Sequence, residues 1–280
     1  MGGYIGRFAP SPTGPLHFGS LVAAVASYLD ARAHGGQWLV RMEDVDTPRC
    51  VPGVDADILR TLEAFGFEWN GSVLYQTARI QAYREALDRL RREGRAYPCS
   101  CSRKEIGNPV YPGTCRSGPV DLGKPLAWRV RVDPAVVLFE DRALGIQQQN
   151  LAEEVGDFVA LRSDGLFAYQ LAVVVDDAAQ GVTDVVRGAD LLDSTPRQIW
   201  LQKLLGFPVP RYLHVPVATN AAGEKLSKQT LAPPLNVADA GTQLRAALRF
   251  LGQDVPVEAG FNVREALAWA SARWGFRPKR

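Results

Sequence analysis

The sequence predicts an α/β protein: a Rossmann-type nucleotide-binding fold, split by an inserted module and closed by a short helical tail. Three observations predict it. The chain opens strand–loop–helix–strand, the order of a βαβ unit. That alternation is interrupted in the middle of the chain and resumes near residue 156. The interruption begins with residues 95–125, which are rich in Cys, Gly and Pro and have no clear hydrophobic period.

Residues 4–9 (YIGRFA) read as a short buried strand. Pro10-Ser11-Pro12-Thr13-Gly14-Pro15 follows, a loop whose prolines cannot sit inside a sheet. From His17 to His34 the pattern is helical, with Leu21, Val22, Val25, Leu29 and Ala33 at spacings of three and four, and Gly35-Gly36 ends it. Residues 37–42 (QWLVRM) read as a second strand, and 54–65 and 77–94 as helices. Residues 126–149 alternate weakly and read as short strands. Then come a strand over 156–162, a helix over 168–176 and a strand over 182–187. A helix over 194–205 has Ser194 or Thr195 as cap and Pro196 in its first turn. A strand over 212–217 and helices near 237–251 and 262–274 complete the chain, which has no internal repeat. We divide it into 1–75, the first half of the nucleotide-binding domain, and 76–160, the inserted module. Residues 161–215 form the second half, and 216–280 a late lysine-bearing loop and helical tail.

Of the 280 residues, 46% are hydrophobic and 22% charged, which suits a packed globular core and argues against disorder. No apolar run approaches the roughly 18–20 residues of a membrane span. The N-terminus lacks a basic stretch followed by an apolar one, so no signal peptide is visible. We expect a cytoplasmic, monomeric protein with no membrane partner. The net charge of +2 does not by itself identify a nucleic-acid binder. Of the 32 basic residues 26 are Arg, a residue suited to bidentate contact with carboxylate or phosphate; a compositional bias of the genome accounts for most of them.

Two segments suggest phosphate chemistry. His17-Phe18-Gly19-Ser20 sits where a strand and tight loop deliver a helix N-terminus, whose free N–H groups and dipole attract phosphate. There the His17 imidazole can donate to a phosphate oxygen, and Gly19 leaves room for adenine or ribose. A merely capped helix after a proline turn explains these residues equally well. Lys225-Leu226-Ser227-Lys228-Gln229 carries two of the chain's six lysines. Paired ammonium groups on a loop suit a polyphosphate, or simply a solvated turn. Cys99, Cys101 and Cys115 form a C-x-C-x13-C cluster. In a cytoplasmic protein this spacing points to Zn2+ rather than disulfides, with one of the four tetrahedral positions left open. Cys50 stands apart.

Together, and in this order, the two phosphate segments make the chain resemble a class I aminoacyl-tRNA synthetase of the glutamyl branch. His17–Ser20 is similar to that family's HIGH motif and Lys225–Gln229 to its KMSKS motif. The resemblance runs from about residue 5 to residue 230 and includes RFAPSPTGPLHFG, Arg41-Met42-Glu43-Asp44-Val45-Asp46, and Arg187 through Gln198. Ser20, Leu226 and Gln229 depart from the family's pattern. Only about fifty residues follow Lys228, too few for the anticodon-binding region of such enzymes. We therefore expect no anticodon-binding domain. The chain looks more like the truncated paralogue group, the glutamyl-queuosine tRNA(Asp) synthetases.

The resemblance implies ATP with Mg2+ and L-glutamate as substrates, and tRNA(Asp) carrying queuosine as acceptor. It implies that Arg7, Ala9, Ser11, Glu43, Tyr169 and Arg187 hold glutamate, Glu43 taking the α-ammonium. It implies that His17, Gly19, Ser20, Lys225, Leu226, Ser227 and Lys228 hold ATP, with His17, Lys225 and Lys228 catalytic. It also implies Tyr111 as the fourth zinc ligand. Arg7, Glu43 and Arg187 each fall at or near the end of a predicted buried strand, where ligands bind in open α/β sheets. An internal ion pair, for example Arg7 with Glu43, is the other reading. Two alternatives keep the fold: a short glutamyl-tRNA synthetase charging the 3′ end, and a non-catalytic RNA-binding relic. Arg79, Arg84, Arg89, Arg91, Arg92 and Arg95 crowd one helix, either tracking a phosphate backbone or forming an ordinary solvated face with Glu85, Asp88 and Glu93.

Overall fold

In a computed structural model the described residues are 3–107, 110–134, 136–219, 232–256 and 260–276. The opening unit is β1 (Ile5–Phe8), α1 (Phe18–Ala33) and β2 (Gln37–Met42), the two strands running parallel with Arg7 opposite Leu39. After α2 (Val54–Ala64), β3 (Leu74–Tyr75) pairs in parallel with the end of β2. Next come α3 (Ile80–Arg92), β4 (Ala96–Cys99), α4 (Arg103–Ile106), β5 (Ala127–Val130), β6 (Val136–Asp141), β7 (Gly145–Asn150), α5 (Leu151–Glu154) and β8 (Phe158–Leu161). The chain then runs through α6 (Tyr169–Ala179), β9 (Asp184–Gly188), α7 (Thr195–Leu205), β10 (Arg211–Val215), α8 (Ala240–Phe250) and α9 (Val263–Ser271).

The strands order as β1-β2-β3, β7-β6-β10-β9 and β4-β5-β8. The first two groups meet edge to edge. Thr183, just before β9, donates its backbone N–H to the Ile5 carbonyl at 2.9 Å, and Ile5 N–H donates to Thr183 Oγ1 at 2.9 Å. From β1 the parallel strands run outward one way through β2 and β3, and from β9 the other way through β10 and β6. Such a reversal leaves a crevice beyond the carboxyl ends of the central strands. Arg7 and Arg187 each stand one residue from the end of β1 and β9.

Helix α1 is apolar on nearly every side, with Leu21, Val25 and Leu29 buried, because it is covered twice. The sheet lies beneath it, and α8 and α9 lie over it, contributing Leu244, Leu248 and Leu267 to the same core. Trp274 Nε1 donates to Asp30 Oδ1 at 2.8 Å, which fastens the end of this helical tail to α1.

Several elements depart from the sequence reading. The helices expected from 77 and 237 begin as 3-10 turns, Gln76–Arg79 and Val237–Asp239, before α3 and α8. β3 is two residues long, too short to show alternation. β4 contains Pro98, a residue that argues against a central strand, but β4 is the edge of its sheet. Of the strands expected in 126–149, β5 joins the small antiparallel sheet, whereas β6 pairs with β10 and carries β7 on its far edge. Among the described residues no helix is long and apolar enough to cross a membrane.

Candidate active site

The HIGH-like segment forms the start of α1. His17 is the N-cap, with extended backbone, and its Nδ1 accepts the Ser20 backbone N–H at 3.4 Å. A neutral imidazole that accepts at Nδ1 carries its proton on Nε2, so His17 can cap the helix and still donate outward. The two readings of this segment are therefore compatible. Gly19 and Ser20 lie in the first turn. Lys225, Leu226, Ser227 and Lys228 lie outside the described residues. Beyond them Pro234 forms a β-bridge with His17, and Leu235 N–H donates to the Leu16 carbonyl at 2.9 Å.

Four of the six glutamate candidates lie close together. Arg7 is buried in β1, Ala9 follows that strand, and Ser11 is exposed in the loop between the buried Pro10 and Pro12. Glu43 comes directly after β2, its backbone N–H bonded to the Pro10 carbonyl at 2.9 Å. Tyr169 begins α6, and its hydroxyl accepts from Arg187 Nη1 at 3.3 Å. Tyr169 also lies in the electrostatic field of Arg187, Glu43 and Arg7, which puts four of the six together.

The ion pairing differs from the Arg7–Glu43 pair given as the alternative reading. Arg7 instead meets Asp177 of α6, Nε to Oδ1 at 3.1 Å. Arg41, fully buried in β2, bonds the same Asp177 oxygen at 2.8 Å and Glu43 Oε1 at 3.3 Å. Burial would raise the Asp177 carboxyl, but Arg7 and Arg41 hold it below its ordinary value. Burial pushes Glu43 up, with Arg41 and Arg7 pulling against it. The sequence reading assigns no role to Arg41 or Asp177, yet they set the charge of the site. A usable signal was present: Asp176 and Asp177 close an apolar run from Leu171 to Val175, and buried acids need cationic or hydrogen-bonded partners.

Arg187 is different. It is buried, but its hydrogen bonds go to neutral acceptors: Gln198 Oε1 at 2.8 Å, Thr195 Oγ1 at 2.9 Å, Tyr169 Oη and His214 Nε2 at 3.1 Å. Among the described residues no carboxylate forms an ion pair with it. Counting direct contacts alone, three guanidiniums (Arg7, Arg41, Arg187) thus meet two carboxylates (Asp177, Glu43), while Asp141 stands one residue back behind His214. The surplus positive charge matches the single net negative charge of glutamate, whose ammonium needs an anion such as Glu43 nearby.

The cysteines form a second site. The Sγ atoms of Cys99, Cys101 and Cys115 all lie within 4.8 Å of one another, and none is in a disulfide. The Tyr111 hydroxyl sits among them, 3.3 Å from Cys99 Sγ and 3.7 Å from Cys101 Sγ. Ligands about 2.3 Å from a tetrahedral zinc would stand ~3.8 Å apart, so three thiolates and this oxygen suit such an ion. Arg129 Nε donates to Cys99 Sγ at 3.2 Å and its guanidinium stacks 4.0 Å above the Tyr111 ring, which puts a cation beside the cluster. Gly156 fixes Tyr111 in place: its φ is +69°, and a Cβ there would lie 2.3 Å from the Tyr111 carbonyl oxygen.

The arginine-rich helix is largely committed to protein contacts. Arg79 pairs with Asp176, Arg89 with Glu93, Arg91 with Asp88 and Arg95 with Asp133. This pattern favours an ordinary solvated face.

Comparison with known proteins bears on the same residues. A family model described as the catalytic domain of class I tRNA synthetases (E and Q) matches residues 5–109 and 120–252. The glutamyl-Q tRNA(Asp) synthetase of Dechloromonas aromatica (strain RCB) is 62% identical over 284 residues, covering 98% of this chain and 94% of that protein. Its counterpart from Aromatoleum aromaticum is 59% identical, covering 97% and 89%. The crystal structure of glutamate-tRNA synthetase from Elizabethkingia anophelis superposes with a TM-score of 0.73 at 26% identity; the match covers 81% of this chain but only 53% of that one, about half its length. Mycobacterium tuberculosis methionyl-tRNA synthetase, at 13% identity and a TM-score of 0.60, shares the fold. With such identity sustained along nearly the whole of both sequences, the chain belongs to the glutamyl-Q tRNA(Asp) synthetase family, and is a class I ligase.

Proposed function

We propose that the protein uses ATP with Mg2+ to convert L-glutamate to glutamyl-adenylate without tRNA, then transfers the glutamyl group to the queuosine base of tRNA(Asp). The observation that supports this reading is the buried cluster of Arg7, Arg41 and Arg187 with Asp177 and Glu43, in which Arg187 alone touches no carboxylate among the described residues. In this reading Arg187 and Tyr169 receive the side-chain carboxylate, with Arg7, Ala9 and Ser11 lining the pocket, and Glu43 takes the α-ammonium. The α-carboxylate attacks the α-phosphorus of ATP in line; a new C–O–P linkage forms and pyrophosphate leaves. No covalent enzyme intermediate is needed, because positioning and charge compensation lower the barrier. His17, through Nε2–H, and Lys228, assisted by Lys225, stabilise phosphate charge, while Gly19, Ser20, Leu226 and Ser227 complete the nucleotide site. A hydroxyl of the queuosine diol then attacks the activated carbonyl, and AMP leaves.

Two experiments test this reading. Purified protein, labelled glutamate and ATP are mixed with tRNA(Asp) containing queuosine, tRNA(Asp) lacking it, or tRNA(Glu). Label is expected only on the first; label on tRNA(Glu) would instead favour a short 3′-end-charging enzyme. Replacing Lys228 by Ala is expected to slow adenylate formation on the order of 10²-fold, the scale of losing one transition-state donor. Unchanged pyrophosphate exchange in that variant would remove Lys228 from the mechanism.

We also propose one structural Zn2+ per chain, held by Cys99, Cys101, Cys115 and Tyr111. When bound it tethers β4 to the irregular segment that follows. Metal analysis of protein purified without chelator should give close to one zinc per chain, and Cys115→Ser should lose it and melt at lower temperature. Zinc well below one per chain in the wild type would count against the site.

A further inference from the structure

We propose that His214, itself held by Asp141, is the positioning residue that aims the Arg187 guanidinium at the substrate carboxylate. The inference rests on the reading that Arg187 binds glutamate. Three neighbouring parallel strands supply the three residues. Arg187 on β9 lies in register with His214 on β10, and Asp141 ends β6, the next strand over. All three side chains are buried.

The direction of each hydrogen bond follows from chemistry. Asp141 accepts the backbone N–H groups of Ala143 at 3.0 Å, Leu144 at 2.9 Å and His214 at 3.1 Å, which fixes its carboxylate. His214 Nδ1 lies 2.7 Å from Asp141 Oδ2. An ionised carboxylate only accepts, so Nδ1 carries the proton. Burial holds His214 below its ordinary value against the pull of Asp141, which favours the neutral ring with its Nε2 lone pair free to accept. Arg187 Nε, which can only donate, lies 3.1 Å from that Nε2.

Why a histidine is interposed can be read from the charge. Arg7 and Arg41 touch Asp177 directly, and their charge is compensated there. A carboxylate touching Arg187 would likewise remove the surplus positive charge that the ligand is to meet. A neutral imidazole anchors Nε and fixes the guanidinium plane without cancelling its charge, while the carboxylate that orients the imidazole stands one residue further back. Of the five guanidinium hydrogens, four have acceptors in His214, Gln198, Tyr169 and Thr195, which leaves one on Nη2 for substrate.

The test uses two amides that mimic different ring nitrogens. His214→Gln places an oxygen acceptor near the position of Nε2. His214→Asn keeps a donor near Nδ1 and leaves Arg187 Nε without its acceptor. In glutamate-dependent ATP–pyrophosphate exchange, His214→Asn is expected to raise KM for glutamate about tenfold with kcat and the KM for ATP little changed, and His214→Gln to restore it. Equal defects in both variants, or wild-type KM in both, would overturn the proposal. A wild type without glutamate-dependent exchange would instead overturn the underlying reading of Arg187. A second measurement needs no His214 variant. The chain has three histidines, so nitrogen-15 NMR of the wild type, assigned with His17→Gln and His34→Gln, reports the His214 tautomer. The Nδ1–H form is expected; the Nε2–H form or an imidazolium would contradict the arrangement.

Discussion

Arg187→Met is expected to lower kcat/KM for glutamate on the order of 10³-fold, the upper range for truncating one member of a buried, hydrogen-bonded charge pair. The size follows from the charge count at the crevice. Arg7 and Arg41 are matched by Asp177 and Glu43, so Arg187 supplies the net attraction for an acidic ligand. Its removal from the free protein leaves only neutral groups, Gln198, Thr195, Tyr169 and His214, without a donor, so folding should survive. Exchange kinetics over a glutamate titration, with a thermal melt as control, measure both expectations. A loss below tenfold with intact folding would show that the charge count does not govern binding.

Asp177→Ala is expected to act on stability instead, costing about 3–5 kcal/mol, the range for breaking a buried ion pair, and roughly 10 °C in Tm. It leaves Arg7 and Arg41 side by side, with Glu43 as the remaining carboxylate against Arg41. The pH dependence has a definite sign. Folding lowers the Asp177 carboxyl, so its stabilisation is fully present above the unfolded value, about 3.9, and is lost as pH falls through the folded value. Thermal melts from neutral to acid pH should therefore show a steeper decline for wild type than for Asp177→Asn. Parallel declines would contradict the assignment.

Where the first candidate residues stand in the fold was legible because the determinants are local. Arg7, His17 and Glu43 fall within one strand–loop–helix–strand unit, and hydrophobic periodicity locates the ends of its elements. The position of Arg187 was legible for the same reason, as a charge near the end of an apolar strand, whereas its assignment to glutamate came from the family resemblance. What was hidden is pairing across the chain. Asp177 meets Arg7 over 170 positions, and Asp141 meets His214 over 73. Period alone cannot say which strands become neighbours. The placement of β6 beside β10 was missed on those grounds, and with it the route from Asp141 to Arg187. Tyr111 shows a third case: a tyrosine seldom ligates zinc, so the cysteine spacing left its fourth position open and only the family resemblance filled it.

The central claim is that a buried site with one surplus positive charge selects an acidic amino acid for activation by ATP. Pyrophosphate exchange by the wild-type protein without any tRNA, measured side by side with glutamate and glutamine, tests it most directly. The account predicts rapid exchange with glutamate and a discrimination of at least ~10²-fold against glutamine, which would leave the Arg187 charge unanswered. Comparable exchange with both amino acids, or none with glutamate, would contradict it.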